Sequence, residues 1–229
     1  RLPLAVLEAF CQGKTYQQRL PVLKALLLGQ AGLLPLWGDG ELEAVWRDFG
    51  LRETRDLSCW QFFRVRPGNP PTFRLVGAAH LLSRLMDRGL VQSVLDLVAR
   101  SCPGTGWREL ETVFMVSTGG LGSERALIGQ GRVREIVINV ALPFTFAWAR
   151  ASSNVKLAEH AWHLYRSYPK AGENEITRRL TKLLGGDSTL ISSARRQQGL
   201  IHLDKTFCGG RRCADCPLAV RSTPAALAA

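Results

Sequence analysis

Three cysteines cluster near the end of the chain, at Cys208, Cys213 and Cys216. The Cys-x2-Cys step between the last two is shared by zinc knuckles and iron–sulfur loops. Between the first two lie two glycines, which relieve backbone strain where sulfurs converge, and two arginines, which favour the thiolate form that binds metals. The spacing predicts a bound cofactor, either zinc or an iron–sulfur cluster.

A fourth metal ligand is less clearly marked. His202 lies six residues before Cys208. On a continuous helix those two side chains would point roughly 120° apart, so His202 can bind only if the helix ends between them. Cys11, Cys59 or Cys102 could supply the ligand through the fold, water could take its place, or a fourth ligand could be absent. The alternative is that the three clustered cysteines are reduced and pack the end of the chain, with or without one disulfide.

A second candidate site is residues 60–74, where arginines alternate with aromatic residues on a proline-rich loop. This pattern suits phosphate contacts and base stacking. The residues that we predict to contact nucleic acid here are Arg64, Arg66, Asn69 and Arg74. The alternative is a structural loop that buries Trp60, Phe62 and Phe63 and ties its arginines to carboxylates or helix ends.

The end of the chain is also its most basic part, because nine Lys and Arg face three Asp between residues 176 and 221. The arginines that we predict to contact phosphates here are Arg178, Arg179, Arg195, Arg196, Arg211 and Arg212. A block of this kind serves either as a phosphate-binding surface or simply as a solvated face.

The chain as a whole carries a net charge of +11 and has a pI of about 10.0. Such a protein attracts polyanions, and we expect nucleic acid as its partner, DNA rather than RNA. Catalytic patterns are incomplete. No paired carboxylates and no Ser-His-Asp arrangement stand out, and the glycine-rich run at residues 117–122 lacks the lysine of a phosphate-binding loop.

The longest apolar run, residues 136–149, is too short to span a bilayer and is interrupted by Pro143. No signal peptide is visible, and the scattered cysteines lie in apolar contexts where free thiols pack well. We therefore predict a cytoplasmic protein with reduced cysteines and no membrane partner.

Apolar residues with helical spacing run through most of the chain. We predict that Gly29 and Gly32 end the second helix and that Thr72 caps the helix after the proline loop. No alternation typical of a strand stands out. The predicted helices are residues 2–10, 16–30, 40–49, 72–85, 91–98, 107–116, 131–150 with a kink at Pro143, 157–168, 174–184 and 188–206.

The sequence therefore predicts an all-α protein, a multi-helix globular bundle that ends in a short cysteine knuckle. We divide it into a helical domain at residues 1–175, basic helices with the cysteine cluster at residues 176–221, and a flexible tail at residues 222–229.

Residues 202–218 resemble the iron–sulfur loop of helix-hairpin-helix DNA glycosylases of the endonuclease III kind. His202 and the Cys-x2-Cys-Pro step at residues 213–217 carry the resemblance, which implies a base-excision activity. The first cysteine spacing is four residues rather than six, and no cysteine follows Cys216. The sequence also lacks a helix-hairpin-helix glycine motif with a catalytic Lys or Asp after it.

Four segments, taken in order, are similar to a bacterial family of unknown function. They are residues 27–34, 60–74, 136–143 and 198–208, the last with its two following cysteines. Full-length members of that family begin with a module similar to PD-(D/E)XK nucleases. The resemblance implies that this chain is the helical C-terminal part of such a protein, and that the catalytic carboxylates lie on an N-terminal module outside it.

Three functional hypotheses follow. The first is a nucleic-acid-binding accessory domain of a nuclease-like protein, in which the cysteine cluster fixes the geometry of the basic helices. The second is a structural or interaction domain that packs on the N-terminal module and therefore exposes a large apolar patch. The third is an iron–sulfur enzyme of base excision, for which the acidic and lysine side chains near Cys208 are Asp204, Lys205 and Asp215.

Overall fold

A computed structural model describes residues 4–51, 55–63, 70–118, 125–186, 189 and 191–220. The chain divides into two compact units. The first comprises Arg1–Ser101 and Arg108–Val137, and the second comprises Cys102–Trp107 and Ile138–Ala229. Both are built mostly from helices, which confirms the all-α prediction. Within the described residues, no helix has the length and apolar character needed to cross a membrane.

The helices of the first unit surround a core in which α2 packs against α4 and α5. Leu23 and Leu26 of α2 lie at its centre, with Leu7, Ala79 and Met86 around them. The helices are α1 (Leu4–Cys11), α2 (Tyr16–Gln30), α3 (Leu34–Trp37), α4 (Gly40–Asp48), α5 (Pro71–Leu85), α6 (Leu90–Arg100), α7 (Trp107–Phe114) and α8 (Gln130–Ile136), with a 3-10 turn at Leu57–Cys59.

The bounds of α2 agree with the prediction because both ends are marked in the sequence. The Thr15 side chain accepts a hydrogen bond from the Gln18 backbone, and the Gln18 side chain accepts one from the Thr15 backbone. Gly32 follows the helix with a φ of 68°, which glycine adopts without strain. The expectation that Gly29 helps to end the helix was wrong. Gly29 lies inside α2, buried against the indole ring of Trp46, so it serves helix packing.

The start of α5 also differs from the prediction. Pro71 lies in the first helical turn, where its missing N–H is not needed. Pro70 precedes it in an extended conformation and makes no side-chain cap. Thr72, the predicted cap, lies inside the helix and is buried.

A two-stranded antiparallel sheet follows α7, where the sequence predicted helix to residue 116 and then a turn. Strand β1 (Val116–Thr118) pairs with β2 (Arg125–Ile128). The prediction of no strand was wrong, because segments of 3 and 4 residues are too short for alternation to be recognised. Gly77 of α5 lets the sheet approach closely, since a Cβ there would lie only 3.1 Å from Cγ1 of Ile128.

In the second unit α9 packs on α10, and α12 packs on both α10 and α11. Three of these helices begin at polar caps, Asn154, Asn174 and Ser193, whose side chains accept hydrogen bonds from the first turn. The Ser193 cap explains why the helix predicted from residue 188 begins later. The helices are α9 (Leu142–Ala151), α10 (Val155–Ser167), α11 (Glu175–Leu183), α12 (Ala194–Leu203) and α13 (Pro217–Val220).

Two π-helical segments adjoin these helices, Val137–Ala141 before α9 and Asp204–Cys208 after α12. The helix predicted over residues 131–150 is therefore two α-helices joined by the first π-helical segment. Pro143, in the first turn of α9, lacks the N–H that would bond to the carbonyl of Asn139 in a continuous α-helix. The helical register changes just before this proline, as is common for π-helical turns.

Residues 168–172 are tied firmly to α12. The carbonyl of Tyr168 accepts a hydrogen bond of 3.0 Å from Ala194. The buried side chain of Gln197 accepts from the Ala171 backbone at 2.9 Å and donates to the Gly172 carbonyl at 2.9 Å. These bonds fix the start of α12, where Arg195 and Arg196 lie.

Candidate nucleic-acid interface

Four of the predicted phosphate-binding arginines lie on α11 and α12. On α11, Leu180 is buried, whereas Arg178 and Arg179 are exposed. On α12 the buried positions recur three residues apart, and Arg195 and Arg196 lie between them with exposed side chains. Both helices are amphipathic, so their charged sides are turned away from the core.

Two of these four arginines are paired with carboxylates, in different surroundings. Arg179 pairs with Asp204, whose side chain is only 12% exposed. Arg178 Nε lies 3.9 Å from Glu173 Oε2, and both side chains are mostly exposed. Exposed pairs of that kind are weak, so Arg178 is available to a phosphate, whereas Arg179 has a structural partner.

Arg195 lies close enough to Tyr165 of α10 to affect its ionisation. Burial raises the pKa of the Tyr165 phenol, and the positive charge of Arg195 acts in the opposite direction. In the part of the chain that the structure describes, Arg195 forms no ion pair. Arg195 therefore adds a positive charge, not paired with a described carboxylate, to the electrostatic surroundings of Tyr165.

We call residues 208–216 the cysteine segment, and its two arginines have different surroundings. Arg212 donates from Nε and an NH2 group to the carbonyl oxygen of Thr206, at 3.2 and 2.7 Å, and lies 5.4 Å from the centre of the Phe207 ring. Arg211 is exposed, with a φ of 51°. It makes no ion pair to the described residues. Arg212 therefore holds the segment in place, and Arg211 projects into solvent.

The three clustered cysteines are free thiols in different environments. Cys208 packs against the apolar cluster of Leu180, Ile191 and Leu200, which the C-terminal helices bury. Cys213 is exposed and Cys216 is half-buried. A tight turn joins these two, because the Cys216 N–H donates to the Cys213 carbonyl at 3.2 Å.

His202, the predicted fourth ligand, is exposed, and its Nε2 lies 3.5 Å from Oγ1 of Thr206. Helical structure continues from α12 through the π-helical segment to Cys208, so the helix does not end between the two residues. Among the described side chains, no group of three or more His, Cys, Asp or Glu is arranged to hold a metal. Metal binding at this segment stays a prediction.

The scattered cysteines share no common environment. Cys11 is buried as expected, and burial raises the pKa of its thiol against the opposing charges of Arg19 and Lys14. Cys59 and Cys102 are exposed, so the apolar context predicted for them was wrong. They lie in a 3-10 turn and in the connection before α7, where little chain covers them.

The predicted proline loop is only partly within the described chain. Arg64, Arg66 and Asn69 lie outside the described residues, so their roles stay predictions. Arg74 is exposed on α5, in the first unit.

The aromatic residues at the start of this loop differ in their exposure. Trp60 is half-buried, and its Nε1 donates to the carbonyl of Ala31 at 2.8 Å. Phe62 and Phe63 are exposed, so the interpretation of a loop that buries all three aromatics was wrong.

A row of aromatic side chains on α9 and α10 was missed in the sequence. The ring centres of Phe146 and Trp162 lie 6.1 Å apart, and those of Trp162 and Tyr165 also lie 6.1 Å apart with planes only 18° from parallel. Trp162 is 40% exposed. The sequence did contain a signal that Trp162 is exposed, because this residue lies off the buried stripe of α10 that contains Ala161 and Leu164. We call Phe146, Trp162 and Tyr165 the aromatic row.

A groove of about 490 Å³ borders the aromatic row. Phe146 and Trp162 line it together with Arg150 and Glu159. Arg150 forms no salt bridge within the described chain, and the same holds for Lys156 and Arg166 of α10. Three unpaired cations and one carboxylate on these two helices make the surroundings of the row electropositive.

A protein family described as "Protein of unknown function (DUF2851)" matches residues 9–175. The match covers most of the chain, and the chain belongs to this family. No curated protein and no solved structure is significantly similar to it. Apart from Glu175, the first residue of α11, the basic helices α11 and α12 and the cysteine segment lie after the matched residues, so they are outside the part that defines the family.

Proposed function

We propose that this member of the DUF2851 family is a nucleic-acid-binding accessory domain, which holds phosphates through the exposed arginines of α11 and α12. On this proposal the chain positions DNA, and a nuclease-like module of the same protein, similar to PD-(D/E)XK enzymes, performs the chemistry. The cysteine segment, with a bound zinc ion or iron–sulfur cluster, would stabilise the end of the basic helices.

The exposure of these arginines is the observation that carries the proposal. Arg178, Arg195 and Arg196 are exposed on two helices that pack against each other, and Arg179, which is also exposed, is paired with Asp204. Between residues 138 and 220 the chain has twelve Lys and Arg against six Asp and Glu. Exposed guanidiniums on such a basic surface can bind phosphate oxygens through two parallel hydrogen bonds.

Fluorescence anisotropy with labelled duplex and single-stranded oligonucleotides tests the proposal. We expect binding at low ionic strength that weakens steeply with added salt, because phosphate contacts release counterions. In the double variant Arg195→Ala with Arg196→Ala, the salt slope on duplex DNA should fall by about 0.9 for each phosphate that these arginines neutralise.

A matched control removes the same charge from the first unit. Arg47 and Arg100 are exposed arginines on α4 and α6. The double variant Arg47→Ala with Arg100→Ala should keep the wild-type salt slope. The absence of binding to either oligonucleotide at low salt would refute the proposal, and so would equal reductions of affinity in the two double variants.

A second candidate function is the docking of another protein module, and a separate surface formed by α9 and the π-helical segment before it favours this function. Val140, Phe144 and Trp148 recur every four residues, and their side chains are 59%, 37% and 47% exposed. An apolar stripe of this kind marks an interaction surface. If it drives association, the isolated chain should self-associate in light scattering and Trp148→Glu should abolish this. A monodisperse chain that the substitution leaves unchanged would contradict this candidate.

A further inference from the structure

The aromatic row points to a preference for one form of nucleic acid. We infer that Phe146, Trp162 and Tyr165 form a stacking platform for the unpaired bases of single-stranded nucleic acid. The inference rests on the proposed function and adds the substrate class to it. Aromatic rings that stack on successive bases are the common device of proteins that bind single strands without reading their sequence.

The geometry of the row fits this role. Its rings follow one another at 6.1 Å between centres along α9 and α10, and Trp162 is 40% exposed. The adjoining groove, of about 490 Å³, has the size of a small-ligand site. Bases in a duplex are stacked on each other and paired, so their faces are not available to such rings, whereas those of a single strand are.

The charges around the row complement a phosphate backbone. Arg150 lines the groove, and Arg195 lies on α12, which packs on α10, with its charge acting on Tyr165 at the other end of the row. Neither forms an ion pair with a described residue. The row therefore leads from an arginine in the groove to the exposed arginine pair of α12. This continuity favours a single strand over an apolar protein partner, which would leave both cations without counter-charge.

Among the described residues, Glu159 is the one carboxylate that lines the groove, and it opposes phosphate binding there. Removing the charge of Glu159 should therefore strengthen nucleic-acid binding, whereas the alanine substitution of Trp162 should weaken it. In Glu159→Gln we expect tighter binding of single strands at low salt, with little effect on the duplex.

The central experiment compares labelled single-stranded oligothymidine with a hairpin duplex on the full chain. Trp162→Ala should weaken single-strand binding about 10-fold, the effect of removing one base stack, and change duplex binding much less. Trp162→Phe, which keeps a ring, should recover most of the affinity and keeps the test valid if the alanine variant folds poorly. Trp148→Ala is the matched control, because Trp148 is exposed on the same unit but lies outside the row.

Tryptophan fluorescence gives a second readout. Oligothymidine should quench the emission of wild type and of Trp148→Phe, and should quench that of Trp162→Phe much less, because a stacked base must contact the Trp162 ring. Equal weakening on single strands and duplex in Trp162→Ala would overturn the inference while leaving the proposed function intact. If neither oligonucleotide binds, both fail. A wild-type dimer that Trp162→Ala converts to monomer would assign the row to a protein interface and would also overturn the inference.

Discussion

Arg179 of α11 and Asp204, the first residue of the π-helical segment after α12, form an ion pair whose two members are unequally exposed. The Asp204 side chain is 12% exposed and that of Arg179 is 52% exposed. A carboxylate in such a site depends on its partner, because a charge left without one is poorly solvated there. The pair therefore ties the end of α12 to α11.

Arg179→Ala should lower the free energy of unfolding by about 1–3 kcal/mol, since it leaves the Asp204 carboxylate without its partner. Urea unfolding followed by circular dichroism measures the change. Arg178→Ala removes the same charge at the neighbouring position, where the contact with Glu173 is long and exposed. Arg178→Ala should lower the free energy of unfolding by at most about 0.5 kcal/mol. Equal destabilisation in the two variants would contradict the structural role of the pair.

Gly29 should tolerate no side chain. A Cβ at this position would overlap the indole ring of Trp46, so Gly29→Ala forces α2 and α4 apart. We expect the free energy of unfolding to fall by about 1–3 kcal/mol, the usual cost of overpacking. Adding Trp46→Leu should recover part of it, because the smaller side chain makes room.

Gly131 of α8 is the control for Gly29, because a Cβ there meets nothing within 4 Å. Gly131→Ala should be neutral or stabilise the chain by up to about 1 kcal/mol, since alanine lowers the entropy of the unfolded state. A large destabilisation in this variant, or none in Gly29→Ala, would count against the packing that we describe.

The helices were predictable where local signals and burial agree. The bounds of α2 follow from the Thr15 cap and from Gly32, both of which act within one helical turn. The role of Gly29 was not predictable, because it depends on Trp46, which is distant in sequence and reaches it only through the fold. The short sheet was missed for the same reason, because β1 and β2 can be recognised as strands only from their pairing with each other.

For the candidate site as well, features set within one helix were predictable, and features set by contacts between helices were not. The exposure of the arginines on α11 and α12 was predictable, because charged residues between buried positions of an amphipathic helix face solvent. The exposure of Trp162 could be predicted from its position on α10, but the row as a whole could not, since Phe146 lies on a different helix from Trp162 and Tyr165. The pairing of Asp204 with Arg179 likewise required the packing of α11 near the end of α12.

His80 should make the stability of the chain fall in mild acid. Burial lowers the pKa of His80, and the charges of Lys24 and Arg84 act in the same direction. In the unfolded chain the imidazole takes up a proton near pH 6.5, whereas in the folded chain it does so only at lower pH. The unfolded state therefore binds more protons between these two pKa values, and stability declines as the pH falls below about 6.5.

Urea midpoints at neutral and mildly acidic pH measure this decline. His80→Gln should reduce it, because glutamine does not titrate and can keep a hydrogen bond with the Tyr16 hydroxyl, which lies 2.7 Å from Nδ1 of His80. A wild-type slope in His80→Gln would show that other groups cause the decline.

The cysteine segment leads to a prediction about metal content. We expect protein purified without oxygen to contain zinc or iron, which elemental analysis and the visible absorption spectrum distinguish. Cys213 and Cys216 are the residues on which retention should depend most, because one tight turn already holds them close together. Cys213→Ser should therefore lose the metal, whereas Cys59→Ser, at an exposed cysteine of the first unit, should retain it.

A variant of His202 tests whether this histidine is one of the metal ligands. Its Nε2 lies beside the Thr206 hydroxyl, and the helix continues past it to Cys208, so His202→Ala should keep the metal. Loss of metal in this variant would show that the segment rearranges on binding, since an imidazole must leave Thr206 to join the thiolates. Protein without zinc or iron from anaerobic purification would refute the metal site itself. Cys208 would then be a packing residue, in keeping with its contacts to the apolar cluster around Leu180 and Leu200.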